Sequence, residues 1–111
     1  MTFDELLVQI ESKECQEKRD RETDYLEVVV TRALLESFAA LLAAYFGPPF
    51  KPEGEKPSAE ALRHAEPYGG IYAGQTMYFR RGEEGPELAL LWPWGSQPMV
   101  TLKIIRGAEP A

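Results

Sequence analysis

Apolar residues follow two rhythms along this chain, helical spacing up to Phe46 and alternation from Gly70 onward. Thr2 and Glu5 have the spacing of a capping box, in which a hydroxyl and a carboxylate satisfy each other's free backbone N–H groups. Phe3, Leu6, Leu7 and Ile10 then recur at the interval of one helix face. From Glu11 to Glu22 the only apolar residue is Cys15. Glu14 with Lys18, and Glu17 with Arg21, stand four apart in the favourable order, so the pattern predicts a first helix whose second half, residues 12–20, is solvated.

The run from Tyr25 to Phe46 is the densest apolar stretch, with 17 apolar or aromatic residues among 22. Asp24 and Glu27 repeat the capping-box spacing ahead of it, and Gly47-Pro48-Pro49 closes it. Its polar positions scatter at 100° per residue, which predicts one long, mostly buried helix with Leu41 and Leu42 inside. Residues 47–69 hold five of the nine prolines and read as a connector. Within it Ser58 caps a short helix from Ala59 to Ala65, ended by Pro67.

After Gly70 the period is two. Ile71, Ala73, Met77 and Phe79 alternate with Tyr72, Thr76, Tyr78 and Arg80. Arg81 to Pro86 is a turn, Glu87 to Trp92 a strand apolar on both faces, Pro93 to Pro98 a second turn, and Met99 to Ile105 a third strand. Short connections make these an antiparallel meander with Glu87 to Trp92 in the middle. Gly107 to Ala111 reads as a frayed tail.

The predicted fold is therefore α+β. Two N-terminal helices, the second long and mostly buried, pack on a C-terminal three-stranded antiparallel meander. With 111 residues the chain is one domain, divided into a helical part (1–46), a Pro-rich connector (47–69) and a sheet (70–106).

Charge narrows the partners. The net charge is −6, and residues 1–27 hold nine acids and four bases of it. An acidic chain repels phosphate backbones, so nucleic acid is not an expected partner. The one local basic pair in the C-terminal half, Arg80 and Arg81, is followed at once by Glu83 and Glu84. A membrane span would have to carry Arg32 and Glu36, and no Lys or Arg cluster flanks it, so a globular helix is the better reading. One cysteine permits no internal disulfide, and the acidic start lacks the positive charge of an export signal, which together predict a cytoplasmic protein.

No residue set points to a reaction. Cys15 and His64 are the only cysteine and histidine, too few for a protein zinc site. Glu60 lies one helical turn before His64, an arrangement read as an exposed surface pair. Gly69, Gly70 and Gly74 open a strand where a phosphate loop would open a helix, so they read as a turn with a close backbone approach. Ser96 lacks the second glycine of a nucleophile elbow. No metal or cofactor is expected.

The aromatic residues are the more informative set. Tyr68, Tyr72, Tyr78, Trp92 and Trp94 fall on or beside the meander, and Tyr and Trp favour surfaces that meet a partner. They are the candidate binding residues. A middle strand apolar on both faces also asks for more cover than the expected helices supply, which predicts a second copy. The functional expectation is a small non-enzymatic interaction, regulatory or assembly protein acting as a homodimer, with another protein as a further possible partner. The alternative is a small-molecule-binding protein or enzyme with an aromatic pocket on the sheet.

Overall fold

The computed structural model describes residues 1–95 and 98–109. Helix α1 (Phe3–Ser12) begins as its capping box predicts, with Thr2 Oγ1 accepting from the Glu5 N–H at 3.1 Å and Glu5 accepting from the Thr2 N–H at 3.2 Å. Phe3, Leu6, Leu7 and Ile10 are its buried stripe. It stops at Ser12, and Lys13 is already extended.

The expected second half of this helix does not form. Gln16 N–H bonds the Val29 carbonyl, and β1 (Glu17–Glu22) runs antiparallel to β2 (Tyr25–Thr31). The segment expected as one long helix from Tyr25 is thus a strand first, and α2 occupies only Leu35–Phe46 after a 3₁₀ turn at Arg32–Leu34. The cause is local. Leu26, Val28 and Val30 alternate with Tyr25, Glu27, Val29 and Thr31, and four of these seven are β-branched residues, stiff at χ1 and suited to a pleated surface. Asp24 caps no helix; it sits in the β1–β2 turn and accepts from Arg106 Nε at 2.8 Å. The helical pairs expected of Lys18 and Arg21 are replaced by ion pairs from both to Glu11, at 3.3 and 2.9 Å. Helix α2 ends at Gly47, whose φ of 87° is strained for any residue with a Cβ.

In the connector, Lys51 bridges Met77 by two backbone bonds of 3.0 and 2.9 Å. Helix α3 (Ala59–Ala65) is capped by Ser58, whose Oγ accepts from the Ala61 N–H at 3.1 Å. Then come β3 (Thr76–Gly82), β4 (Gly85–Pro93) and β5 (Met99–Arg106). The first of these strands starts later than the alternation implied, and Ile71 and Ala73 lie in the loop before it. The expected turn from Pro93 to Pro98 includes Ser96 and Gln97, and the expected tail includes Pro110 and Ala111; these four lie outside the described residues.

All neighbouring strands are antiparallel, in the order β1-β2-β5-β4-β3. The fold is α+β, as expected, but the sheet has five strands among the described residues, and β5 lies at its centre. The meander is its second half, completed by a hairpin from the segment read as helical.

One sheet face carries Leu26, Val28, Val30, Tyr78, Ala89, Leu91, Val100, Leu102 and Ile104, packed against α1 and α2 in a single core. The opposite face carries Met77, Leu88, Leu90 and Ile105 beneath Ala61 and Ala65 of α3 and Ile71. Pro86 to Leu91 of β4 are all buried. The chain itself therefore covers its most apolar strand on both faces, and the shortage of cover inferred from the sequence does not arise there. Helix α2 is less enclosed than expected, for only Phe38 and Leu42 are fully buried, and Leu41 is half-buried.

Candidate functional site

Strand register splits the five candidate aromatics. Tyr78 points into the two-helix core, 4% exposed, with its ring centre 5.9 Å from that of Phe46. Burial holds its hydroxyl pKa above the usual value. Tyr72 lies in the loop before β3, 69% exposed. Neither belongs with the other three.

Tyr68, Trp92 and Trp94 converge on the α3 face. Helix α3 lies over β3 and β4, and the 3₁₀ turn Glu66–Tyr68 carries the chain to the middle of the sheet. Gly69, at φ 109°, packs its α-carbon against the Trp92 ring so closely that a Cβ would collide with it. Of the three glycines expected to make a close backbone approach, Gly69 does so, while a Cβ at Gly70 or Gly74 would meet open space. In the half toward β2 and β5 on this face, Ile105 lies beneath α3, Val29 and Thr101 are buried, and Tyr25, Glu27 and Lys103 are half-buried.

That half has an aromatic floor with cations already seated on it. Lys103 Nζ lies 3.9 Å from the centre of the Trp92 ring and donates to the Tyr68 carbonyl at 2.9 Å. Burial lowers the Lys103 pKa, while the Glu27 charge acts in the opposite sense. Arg19 lies 5.4 Å from the Trp94 ring centre and pairs with Glu17 at 2.9 Å and Glu27 at 3.9 Å. Trp94 Nε1 donates to Thr101 Oγ1 at 2.8 Å, and Tyr25 donates to Glu27 Oε1 at 2.7 Å. Burial, and secondarily the bond to Glu27, raises the Tyr25 pKa, so the phenol stays a donor. The Trp92 indole N–H is buried without an acceptor among the described residues. Aromatic faces attract cations through their quadrupole, which explains both stacked pairs.

Tyr25, Glu27, Lys103, Arg19 and Thr101 were not among the residues singled out from the sequence. Tyr25 and Glu27 were assigned to a helix, and Arg19 to a solvated one. Lys103 and Thr101 alternate with Val100, Leu102 and Ile104 along the third strand, which puts them on the side away from the two-helix core. Reading Tyr25 to Thr31 as a strand would have placed Tyr25 and Glu27 beside them, since Glu27 pairs with Lys103 and Tyr25 with Ile105.

A second polar constellation closes the end of the two-helix core. Glu87, 5% exposed, accepts from the Tyr45 hydroxyl and lies 3.7 Å from Arg80 Nε. Burial and then this bond raise the Tyr45 pKa. Gly82 leaves the space that the Glu87 carboxylate fills. Arg106 stands nearby, pairing with Asp24 at 2.7 Å, Glu84 at 2.8 Å and Asp4 at 3.6 Å. Asp4, Tyr45, Arg80, Glu84, Glu87 and Arg106 line an open cleft of about 460 Å³. Asp4, Asp24, Glu84 and Glu87 each face an arginine or a hydroxyl of the same chain, an arrangement that joins α1, α2 and the β1–β2 and β3–β4 turns. His64 is not the exposed residue expected. It is 3% exposed, stacked on Phe79 at 4.5 Å between ring centres, with Glu60 3.9 Å from Nε2. Among the described residues no three His, Cys, Asp or Glu side chains gather as metal ligands would. No described helix is long and apolar enough to cross a membrane.

No family model, no curated protein and no solved structure matches the chain.

Proposed function

We propose that this is a small non-catalytic interaction protein acting as a homodimer through the outer face of α2. The observation that carries the reading is the mismatch between the composition of α2 and its burial. Ten of its twelve residues are apolar or aromatic, yet only Phe38 and Leu42 are fully buried. Its outward face is Glu36, Ser37, Ala40, Ala43 and Ala44, continued by Ala33 of the preceding 3₁₀ turn, all exposed and spaced three and four apart. One charge on such a face is few for a solvated helix. Small side chains let two helix backbones approach closely, and a two-fold axis brings the same stripe to itself. Helix α1 lies on the same side of the sheet and adds Val8, 59% exposed. The non-catalytic part of the reading is supported by the closed pairing of Glu87 and by the packing of His64 against Phe79.

Light scattering at micromolar concentration tests the dimer. The expected mass is twice the 12.5 kDa of one chain. Ala40→Glu with Ala44→Glu, both on exposed positions, should yield a folded monomer with an unchanged circular dichroism spectrum. A wild-type mass near 12.5 kDa would overturn the proposal.

A further inference from the structure

Arg32 and Glu36 are the two charges beside the small-residue stripe of α2, and neither has an ion-pair partner among the described residues. They stand one helical turn apart, Arg32 in the 3₁₀ turn and Glu36 in the helix, and both are exposed. Next to them the surface sinks into an open depression of about 410 Å³, lined by Ala33, Leu34, Glu36, Ser37 and Ala40. Its side chains are apolar but for one hydroxyl and one carboxylate, and the Ser37 hydroxyl is turned back to the Leu34 carbonyl at 2.9 Å. Arg32 of the same chain does not line it. An apolar floor with a single carboxylate at its wall fits a long side chain that has an aliphatic stem and a cationic head.

We propose that the occupant is Arg32 of a second copy, so that two α2 helices lie antiparallel and Glu36 of each accepts the partner's Arg32. The inference rests on the α2 dimer and fixes its orientation. At about 100° per residue, Arg32, Glu36 and Ala43 lie on one flank of the stripe, Ser37, Leu41 and Ala44 on the other, with Ala33 and Ala40 between them. A two-fold axis across the helices sets a flank against the same flank of the second copy with its order reversed, which brings Arg32 to Glu36 twice. Parallel helices would set it against the other flank, where no charge stands. A reciprocal charge pair on an otherwise neutral stripe fixes register and rejects other partners more than it adds affinity.

Sedimentation equilibrium of the full chain gives the dimer dissociation constant. Arg32→Glu and Glu36→Arg each oppose like charges at both contacts and should weaken the dimer by about tenfold or more. The double variant Arg32→Glu/Glu36→Arg restores opposite charges and should return to within about threefold of the wild type. Arg63→Glu makes the same change in net charge as Arg32→Glu, on α3 across the sheet, and should leave the dimer within about twofold. All three positions are exposed, so circular dichroism should not change. Orientation is read by cross-linking in a Cys15→Ser background. Ser37→Cys, near the axis, should oxidise to an intermolecular disulfide, whereas Ala44→Cys, about 10 Å further along the helix, should not. A dimer that both single reversals leave intact, a double variant no tighter than the singles, or equal cross-linking at both positions overturns the pairing and leaves the α2 dimer standing. A wild-type mass near 12.5 kDa overturns both.

Discussion

Leu41 and Leu42 are neighbours in α2 with different surroundings. Leu42 is fully enclosed in the two-helix core, while Leu41 packs at its margin and is half-buried. Truncating Leu42 to Ala removes buried methyl groups and leaves a cavity, at a cost of about 2–5 kcal/mol. Leu41→Ala should cost roughly half as much or less, since less area leaves contact with the protein. Urea midpoints of the two variants compare them directly, and equal losses would contradict the orientation of α2. Glu11 offers a test by pH. Hydrogen bonds from Arg21 and Lys18 and their charges hold its pKa below the usual 4.5, against a smaller opposing effect of burial. A carboxylate with a lowered folded pKa contributes stability that is present above the unfolded value and lost as pH falls through the folded one. Glu11→Gln should therefore lower stability at pH 7 and flatten its decline below about pH 4.5. A pH profile of melting temperature parallel to the wild type at every pH would show that Glu11 contributes nothing.

The elements differ in how plainly the residues announce them. Helix α1, α3 and the three later strands could be read because each has a local signal, namely a capping box, a Ser cap, or alternation bounded by turns. The first hairpin could not. Its outer strand is made wholly of charged residues, which have little intrinsic preference for a strand, and all six are exposed. Such charge suits an edge, where it discourages pairing with other chains. The strand forms because β2 offers it a ladder, and β2 is itself fixed by β5. Amide hydrogen exchange should record this hierarchy. Amides of β4 and β5, with a strand on either side and packed layers above and below, should exchange slowest, and those of β1 fastest among the strands. Protection in β1 equal to that in β5 would be incompatible with β1 at the sheet edge.

At the scale of the whole molecule, the charge that appeared as an undivided acidic segment becomes oriented. Lys18 and Arg21 lie in register with Val28 and Leu26 on the helix side, and Glu17, Asp20 and Glu22 lie in register with Val29, Glu27 and Tyr25 on the other. The same folding step decided the candidate site. Tyr68, Trp92 and Trp94 came together, Tyr78 went to the opposite core, and Tyr72 stayed in a loop, although all five had looked equivalent along the chain. What the sequence by itself determined is what depends on neighbours within one or two turns: the helix caps, the period-two strands, the proline connector and the α+β class. Only the tertiary structure decided that Tyr25–Thr31 is a strand, that β5 is central and that Lys103 lies over Trp92. Those outcomes rest on pairing between residues 70 or more positions apart, such as Tyr25 with Ile105 and Val30 with Val100. An apolar run satisfies a buried helix and a buried strand equally well, and the partner available in three dimensions makes the choice.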